Sequence, residues 1–409
     1  MKTRLALVPL FLFACGEPLA LESALPADDV ETSQDEIADV DQSPVKRQSI
    51  GNCWLYATAS WAESLHRTAS GETVNLSESY WTYWHWFDQI QANPSQSEIS
   101  TGGYFGVATR IIRNYGFMLE GDFISSEAEV EMSLHQSAAL AAMNASLKTG
   151  ALSTQAARSD RALVRRELDK AWKLNQDVID AMDAAFGPDV LSTLATGVQL
   201  PQDSLIAPAK SLSTVRASRS SVQGQPKLQN VTLAESMKQW NEASYPYYGS
   251  PTSKRTYLKR LQRAVHDRQP LIITWFVDFN ALDNQGRFAA PPTTPGSQGG
   301  HMVVIEDYQI NDVPGVGTLK AGELVTDPAI LNAALSNQAK IEFIRVKNSW
   351  GAYRVDRQFV EGFAGYHDLY MAYLDASIKQ CNSKDGRTDT TDCPYTRTPF
   401  TSVIFPSGY

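Results

Sequence analysis

Behind a glycine turn at Gly51, the residues Trp54, Thr58, Trp61 and Leu65 fall at steps of three and four, which predicts a helix that opens at Cys53 and buries one face. After Asn75-Leu76-Ser77-Glu78-Ser79-Tyr80 comes a run with Trp81, Tyr83, Trp84, Trp86 and Phe87, and aromatic residues at that density read as core. Gly102-Gly103-Tyr104 then leads into a helical pattern through Val107, Ile111 and Ile112 to Tyr115-Gly116. From about 124 to 200 the chain is rich in Ala, Leu, Glu, Lys and Arg and poor in glycine and β-branched residues. This is a helical block, with Ser159 to Phe186 at amphipathic spacing, and it reads as an insertion into another fold. A Ser/Gln/Pro-rich stretch from about 200 to 228 reads as a loop.

Past a basic helix around Tyr257 to His266 the period changes. Leu271 to Val277 is short, β-branched and aromatic, with Pro270 at its start, and predicts a strand. The Pro/Gly loop Pro291 to Gly300 leads to a second strand, His301 to Ile305, and a third runs from Ile341 to Val346, with a smaller insertion at about Asn311 to Lys340 between them. The chain is therefore α+β, helical first and largely β afterwards.

The ends change this picture. Lys2 and Arg4 precede an apolar stretch from Leu5 to Ala14 that is too short to span a bilayer, the pattern of an export signal. Leu12-Phe13-Ala14-Cys15 is similar to a bacterial lipobox, in which the cysteine becomes the lipidated first residue; a plain signal cut near Ala20 or Ala24 is the competing reading. Membrane attachment, on this reading, runs only through Cys15, since no later stretch reaches the length of a span. The expected location is a bacterial lipoprotein at the outer membrane or cell surface, or otherwise a secreted protein. Residues 16–45, with Asp28, Asp29, Glu31, Asp35, Glu36, Asp39 and Asp41, read as an acidic disordered tether or short leader.

A net charge of −9 and the lack of a basic run argue against nucleic acid as partner. Cys381 and Cys393 stand twelve apart in a polar loop and, in an exported chain, are expected to form a disulfide worth roughly 3 kcal/mol in the chain-entropy model. With Cys15 assigned to the signal, Cys53 becomes the odd cysteine, a candidate reactive thiol. Its place in a first helical turn favours the thiolate, because helix starts carry N–H groups without intrahelical acceptors and a partial positive charge. A buried structural cysteine is the alternative.

Thiol chemistry of this kind needs an imidazole and a group that orients it. His301, after Gly299-Gly300 at the entry of a strand, can supply the first, although a lone histidine on a strand is more often structural. Asn348 can accept the imidazole N–H, and Trp350 can shield that bond from water.

Taken together, Gln48…Gly51-Asn52-Cys53-Trp54, Leu76-Ser77-Glu78, Gly102-Gly103-Tyr104, Gly300-His301-Met302-Val303-Val304 and Lys347-Asn348-Ser349-Trp350-Gly351 with Gly365-Tyr366 resemble the papain family of cysteine peptidases. They occur in that family's order over residues 46 to about 375. The resemblance implies a papain-like two-lobed fold, a helical lobe with Cys53 facing a β-barrel-like lobe with His301 and Asn348, and an oxyanion role for Gln48 beside the backbone N–H of Cys53. It also makes Gly102, Gly103 and Gly300 candidates for the substrate cleft. Met143-Asn144, Leu147-Lys148, Gly150 and the run ending Ala185-Phe186-Gly187-Pro188 resemble the helical insertion of the bleomycin hydrolase and aminopeptidase C branch. Gln48 stands five positions before Cys53 where the family has six, and the exported, disulfide-bearing chain departs from that branch, so neither its aminopeptidase specificity nor its hexamer is carried over.

The sequence thus divides into a signal with lipobox (1–15), the acidic leader (16–45), a helical lobe (46–123), the helical insertion and loop (124–230), a β-rich lobe (231–380) and a disulfide-bearing tail (381–409). Its expected activity is hydrolysis of peptide or protein substrates through an acyl-enzyme, with no metal and no cofactor. A catalytically idle binding protein on the same fold, or an acyl transferase using the same Cys-His-Asn site, are the alternatives.

Overall fold

In the computed structural model, which describes residues 40–409 except 41, 130, 131, 134, 220–225, 324, 352–364 and 385, the helix behind Gly51 is α1, Cys53–Ser70. It is buried on all sides from Cys53 to Leu65, beyond the single face that the periodicity predicts, because it runs between helices and sheet. Gly71 ends it in the left-handed region (φ 76°), returning its N–H to the Arg67 carbonyl at 2.8 Å. Helix α2, Glu78–Ala92, starts where the Ser77 hydroxyl accepts the Tyr80 N–H at 3.1 Å. Its aromatic residues are core, with Trp84 stacked on Tyr115 of α3, Phe105–Tyr115, at 4.0 Å.

The helical block contains α4, Gln136–Thr149, α5, Arg161–Trp172, and α6, Gln176–Phe186. The amphipathic run predicted from Ser159 to Phe186 is two helices, broken at Lys173, whose φ of 53° closes α5. The block docks on the aromatic face of α2: the Arg165 guanidinium lies 5.4 Å from the Trp84 ring, and the Tyr83 hydroxyl donates to Asp169 at 2.6 Å. Part of the stretch read as a loop is instead an antiparallel hairpin of β1, Ser213–Arg219, and β2, Pro226–Thr232.

The rest is a sheet of eight strands. In chain order these are β3 (Trp240–Ser244), β4 (Ile272–Asp278), β5 (Arg287–Phe288), β6 (Gln298–Val313), β7 (Gly317–Leu319), β8 (Lys340–Lys347), β9 (Tyr366–Tyr370) and β10 (Phe400–Pro406). Their spatial order is β3-β10-β4-β6-β8-β9-β5, with β7 folded back on β6. All neighbours are antiparallel except β5 and β9. Helix α7, Pro251–His266, packs on β6 and β10, and α1 packs on β6. The β-barrel-like lobe that the resemblance implies is not a closed barrel among the described residues: β3 and the two-residue β5 end the sheet without pairing to each other. The disulfide Cys381–Cys393 forms as expected. The segment after it is no loose tail, since β10 lies inside the sheet between β3 and β4.

Candidate active site

Cys53 is the first residue of α1 and is almost wholly buried, at 1% exposure. Before it, Asn52 donates from Nδ2 to Thr82 Oγ1 at 2.9 Å and to Gln136 Oε1 at 3.0 Å, which anchors the turn. One expectation is corrected here. Cys53, read in the sequence as the odd thiol, is disulfide-bonded in this structure. Cys15, expected to carry the lipid, lies outside the described residues. A sulfur in a disulfide cannot attack a carbonyl, so a nucleophilic role for Cys53 requires it as the free thiol.

His301 and Asn348 reach each other through the sheet register. β4 pairs with β6 so that Trp275 faces His301, and β6 pairs with β8 so that Val304 faces Lys347, the residue before Asn348. His301 Nε2 lies 2.7 Å from Asn348 Oδ1. The Ser349 N–H also donates to Oδ1, at 2.7 Å, which marks that atom as the oxygen and therefore His301 Nε2 as the protonated nitrogen. Trp350 covers the pair, its ring 4.8 Å from the His301 ring and tilted by 23°, and His367 meets the Trp350 ring edge-on at 5.2 Å. Burial lowers the His301 pKa to about 4; the bond to Asn348 opposes this, and the charge of a protonated His367 adds to it. A thiolate beside the ring acts in the opposite direction, holding the proton.

Gln48 is tied to both parts of the molecule. Its N–H donates to the Ser349 carbonyl at 2.9 Å, its Oε1 accepts from the Ser349 hydroxyl, and its Nε2 donates to the Ile50 carbonyl at 2.7 Å. The NH2 group carries a second hydrogen beyond that bond. Gly103 is set by close approach, because a Cβ there would stand 2.4 Å from Trp54 Cε2. The Gly102 carbonyl accepts from His85 Nε2 at 3.2 Å, and Gly300 sits opposite Phe276 in the β4–β6 ladder.

Sequence reasoning missed a charge cluster under this site. Lys46, at 4% exposure, meets Glu63 at 3.1 Å, Glu78 at 3.0 Å and Glu120 at 3.5 Å, while Lys347 donates to Ser43 at 2.7 Å and Ser60 at 3.0 Å. Ser43 in turn donates to Glu63. Burial pushes the Glu63 pKa up, but Lys46 and Lys347 outweigh it and hold the carboxyl below its usual range. Burial, reinforced by Glu120 and Glu63, holds Glu78 well above its usual range against the pull of Lys46. The available signal was position: Lys46 lies two residues from Gln48, Lys347 precedes Asn348, and Glu78 closes the Leu-Ser-Glu motif. A cavity of about 10 Å³, lined by Lys46, Tyr56, Ser60, Lys347 and Asn348 among others, has room for no more than one water. Asn348 Nδ2 is buried beside it without a hydrogen-bond partner in the structure.

Among the described residues no group of three His, Cys, Asp or Glu side chains is arranged to hold a metal, and no helix is long and apolar enough to cross a membrane.

No family model matches the sequence, and no curated protein does. Several solved structures align with the chain at low identity. PepW from Lactobacillus rhamnosis is 12% identical, with 93% of this chain and 82% of that one covered at a TM-score of 0.43. Xylellain, a cysteine protease from Xylella fastidiosa, is 11% identical, covering 98% and 99% at a TM-score of 0.37. The Carica candamarcensis cysteine protease CMS1MS2, solved with E-64, is 13% identical, covering 89% and 92% at 0.30. These overlaps are low, and the functional reading rests on the site itself.

Proposed function

We propose that the chain is an exported, papain-like cysteine peptidase, anchored through a lipid on Cys15, that hydrolyses peptide bonds with Cys53, His301 and Asn348. The observation that carries this is the His301 Nε2 to Asn348 Oδ1 bond of 2.7 Å under the Trp350 ring. It leaves the Nδ1 edge of a rigidly held imidazole for a sulfur at the start of α1, the helix that packs on His301's strand. As the free thiol, Cys53 gives its proton to His301 Nδ1 and attacks the scissile carbonyl carbon. The oxyanion is met by first-turn N–H of α1 and the second Nε2 hydrogen of Gln48; one such donor is worth about 3 kcal/mol. His301 then protonates the leaving amine as the C–N bond breaks. Water, losing a proton to His301, attacks the thioester, and the proton returns to sulfur as the acid leaves. Asn348 keeps the ring in one tautomer throughout.

The test is labelling of the purified, reduced protein with an epoxide selective for such thiols, alongside casein cleavage, with Cys53→Ala as control. Labelling at Cys53 and casein cleavage lost in the variant are expected. No labelling after reduction overturns the reading in favour of a binding protein, and acyl transfer to an added amine in place of hydrolysis reassigns the same residues to a transferase.

A further inference from the structure

The helical block is joined to the nucleophile's own loop. Residues 47–52 run between two partners: on one side Arg47 bridges to Trp350, beside Asn348, and on the other it bridges to Met132. Ser133 donates from N and from Oγ to the Arg47 carbonyl at 3.1 and 3.2 Å, and the Ser137 hydroxyl donates to the Ser49 carbonyl at 3.0 Å. Gln136, fully buried in the first turn of α4, then takes the Nδ2 hydrogen of Asn52 on its Oε1.

Hydrogen-bond direction makes this contact a single-answer arrangement. Glu127, fully buried, accepts the Ser79 hydroxyl at 2.5 Å and the His135 N–H at 2.9 Å. A carboxylate acceptor fixes Ser79 as donor, so Ser79 accepts from Gln136 Nε2, at 3.0 Å; the same NH2 reaches the Tyr56 hydroxyl at 3.2 Å. That leaves Gln136 Oε1 toward Asn52, which must present its NH2 group. The Asn52 Oδ1 so turned away is buried with no hydrogen-bond partner in the structure. A buried acceptor left unmade next to Cys53 is the mark of an orientation imposed from outside the turn.

We propose that Gln136 is a positioning residue for the nucleophile: through Asn52 it sets the 47–52 loop, and so the Cys53 sulfur and the oxyanion donors, against His301. This rests on the peptidase reading above and assigns the helical block a part in the site that its place in the sequence does not suggest. Glu127 and Ser79 act through Gln136, and none of the three touches the reacting atoms.

The experiment compares reduced full-length protein with Gln136→Leu, Ser79→Ala and, as control, Arg158→Met. Arg158 is buried in the same block and binds the carbonyls of Leu147 and Leu152 at its far side. kcat and KM for a peptide substrate, the rate of Cys53 alkylation by iodoacetamide across pH, and thermal stability are measured on each. Gln136→Leu is expected to lower kcat by about 10- to 100-fold, the scale of a small misplacement of reacting groups, with KM within about twofold. Its alkylation profile shifts as well. Ser79→Ala shifts both in the same direction by less, and serves if Gln136→Leu does not fold; Arg158→Met loses stability with kcat and alkylation retained. Unchanged kcat and alkylation in Gln136→Leu overturn the proposal, as does a fall in Arg158→Met matching its loss of stability. If even the unsubstituted protein cleaves nothing, the peptidase reading fails, and the alkylation profiles alone decide the positioning claim.

Discussion

Replacing Lys46 by Met removes the cation that three buried carboxyls share. Breaking a buried ion pair by deleting one partner costs on the order of 3–5 kcal/mol, since the other charge stays buried. Two features of the cluster moderate this: Lys347 still acts on Glu63, and burial already pushes the Glu78 pKa up, which weakens its demand for a cation. The expected loss is therefore near the low end, about 3 kcal/mol at pH 7. Its pH dependence follows from the signs. In the unsubstituted protein the Glu63 pKa is depressed, so its contribution is complete above the unfolded value of about 4.3 and disappears as pH falls through the lower folded value. Without Lys46, burial and mutual repulsion raise the carboxyl pKa values above the unfolded value, so the penalty is largest at neutral pH and shrinks as acid supplies the missing protons. Urea unfolding of both proteins at pH 7 and pH 5 measures this. A loss below about 1 kcal/mol at pH 7, or one of equal size at pH 5, would refute the reasoning.

Asn348→Ala frees the His301 ring and lowers kcat by about 100-fold, with unfolding in urea little changed; an unaffected kcat removes Asn348 from the mechanism. Gly103→Ala drives a methyl group into Trp54, which follows Cys53, and should cost roughly 1–3 kcal/mol of stability in thermal unfolding, whereas a neutral result means that the Trp54 ring has room to move. With Cys15 lipidated or removed and Cys381 paired with Cys393, Cys53 of the mature protein should label with a thiol reagent without prior reduction, and labelling only after dithiothreitol would overturn the assignment of Cys15 to the lipid. Mass analysis of the mature protein separates the two fates of Cys15: a lipid thioether there cannot share a disulfide, while a leader cut nearer Ala20 or Ala24 carries Cys15 away altogether.

The residues proposed to carry the chemistry stand out in the sequence because such roles constrain their neighbours locally. Cys53 needs a helix start, His301 a strand entry, and Asn348 a strand exit, and each leaves its trace within ten residues. What escaped was set over distance. Glu63 sits on a helix whose period marks one apolar face, yet it is buried because Lys46 and Lys347 arrive from elsewhere in the chain. The β1–β2 hairpin was hidden by its Ser- and Gln-rich composition, since Thr214, Val215, Val231 and Thr232 are too few for alternation to stand out. The open sheet follows from β5 being only two residues long, which no periodicity reports, and Lys173 splits a helix by backbone conformation in a sequence whose apolar spacing continues across it.

β10 lies between β3 and β4, and its residues 400–406 leave the ribosome after all the other strands of that sheet. Until they arrive, β4 has an open edge and β3 has no neighbour at all. The β-rich half of the molecule therefore cannot complete its sheet before residues 400–406 have emerged, whatever order the helices adopt. A sheet that takes its last strand into its interior keeps the earlier strands unfinished, with exposed edges, until that strand is delivered.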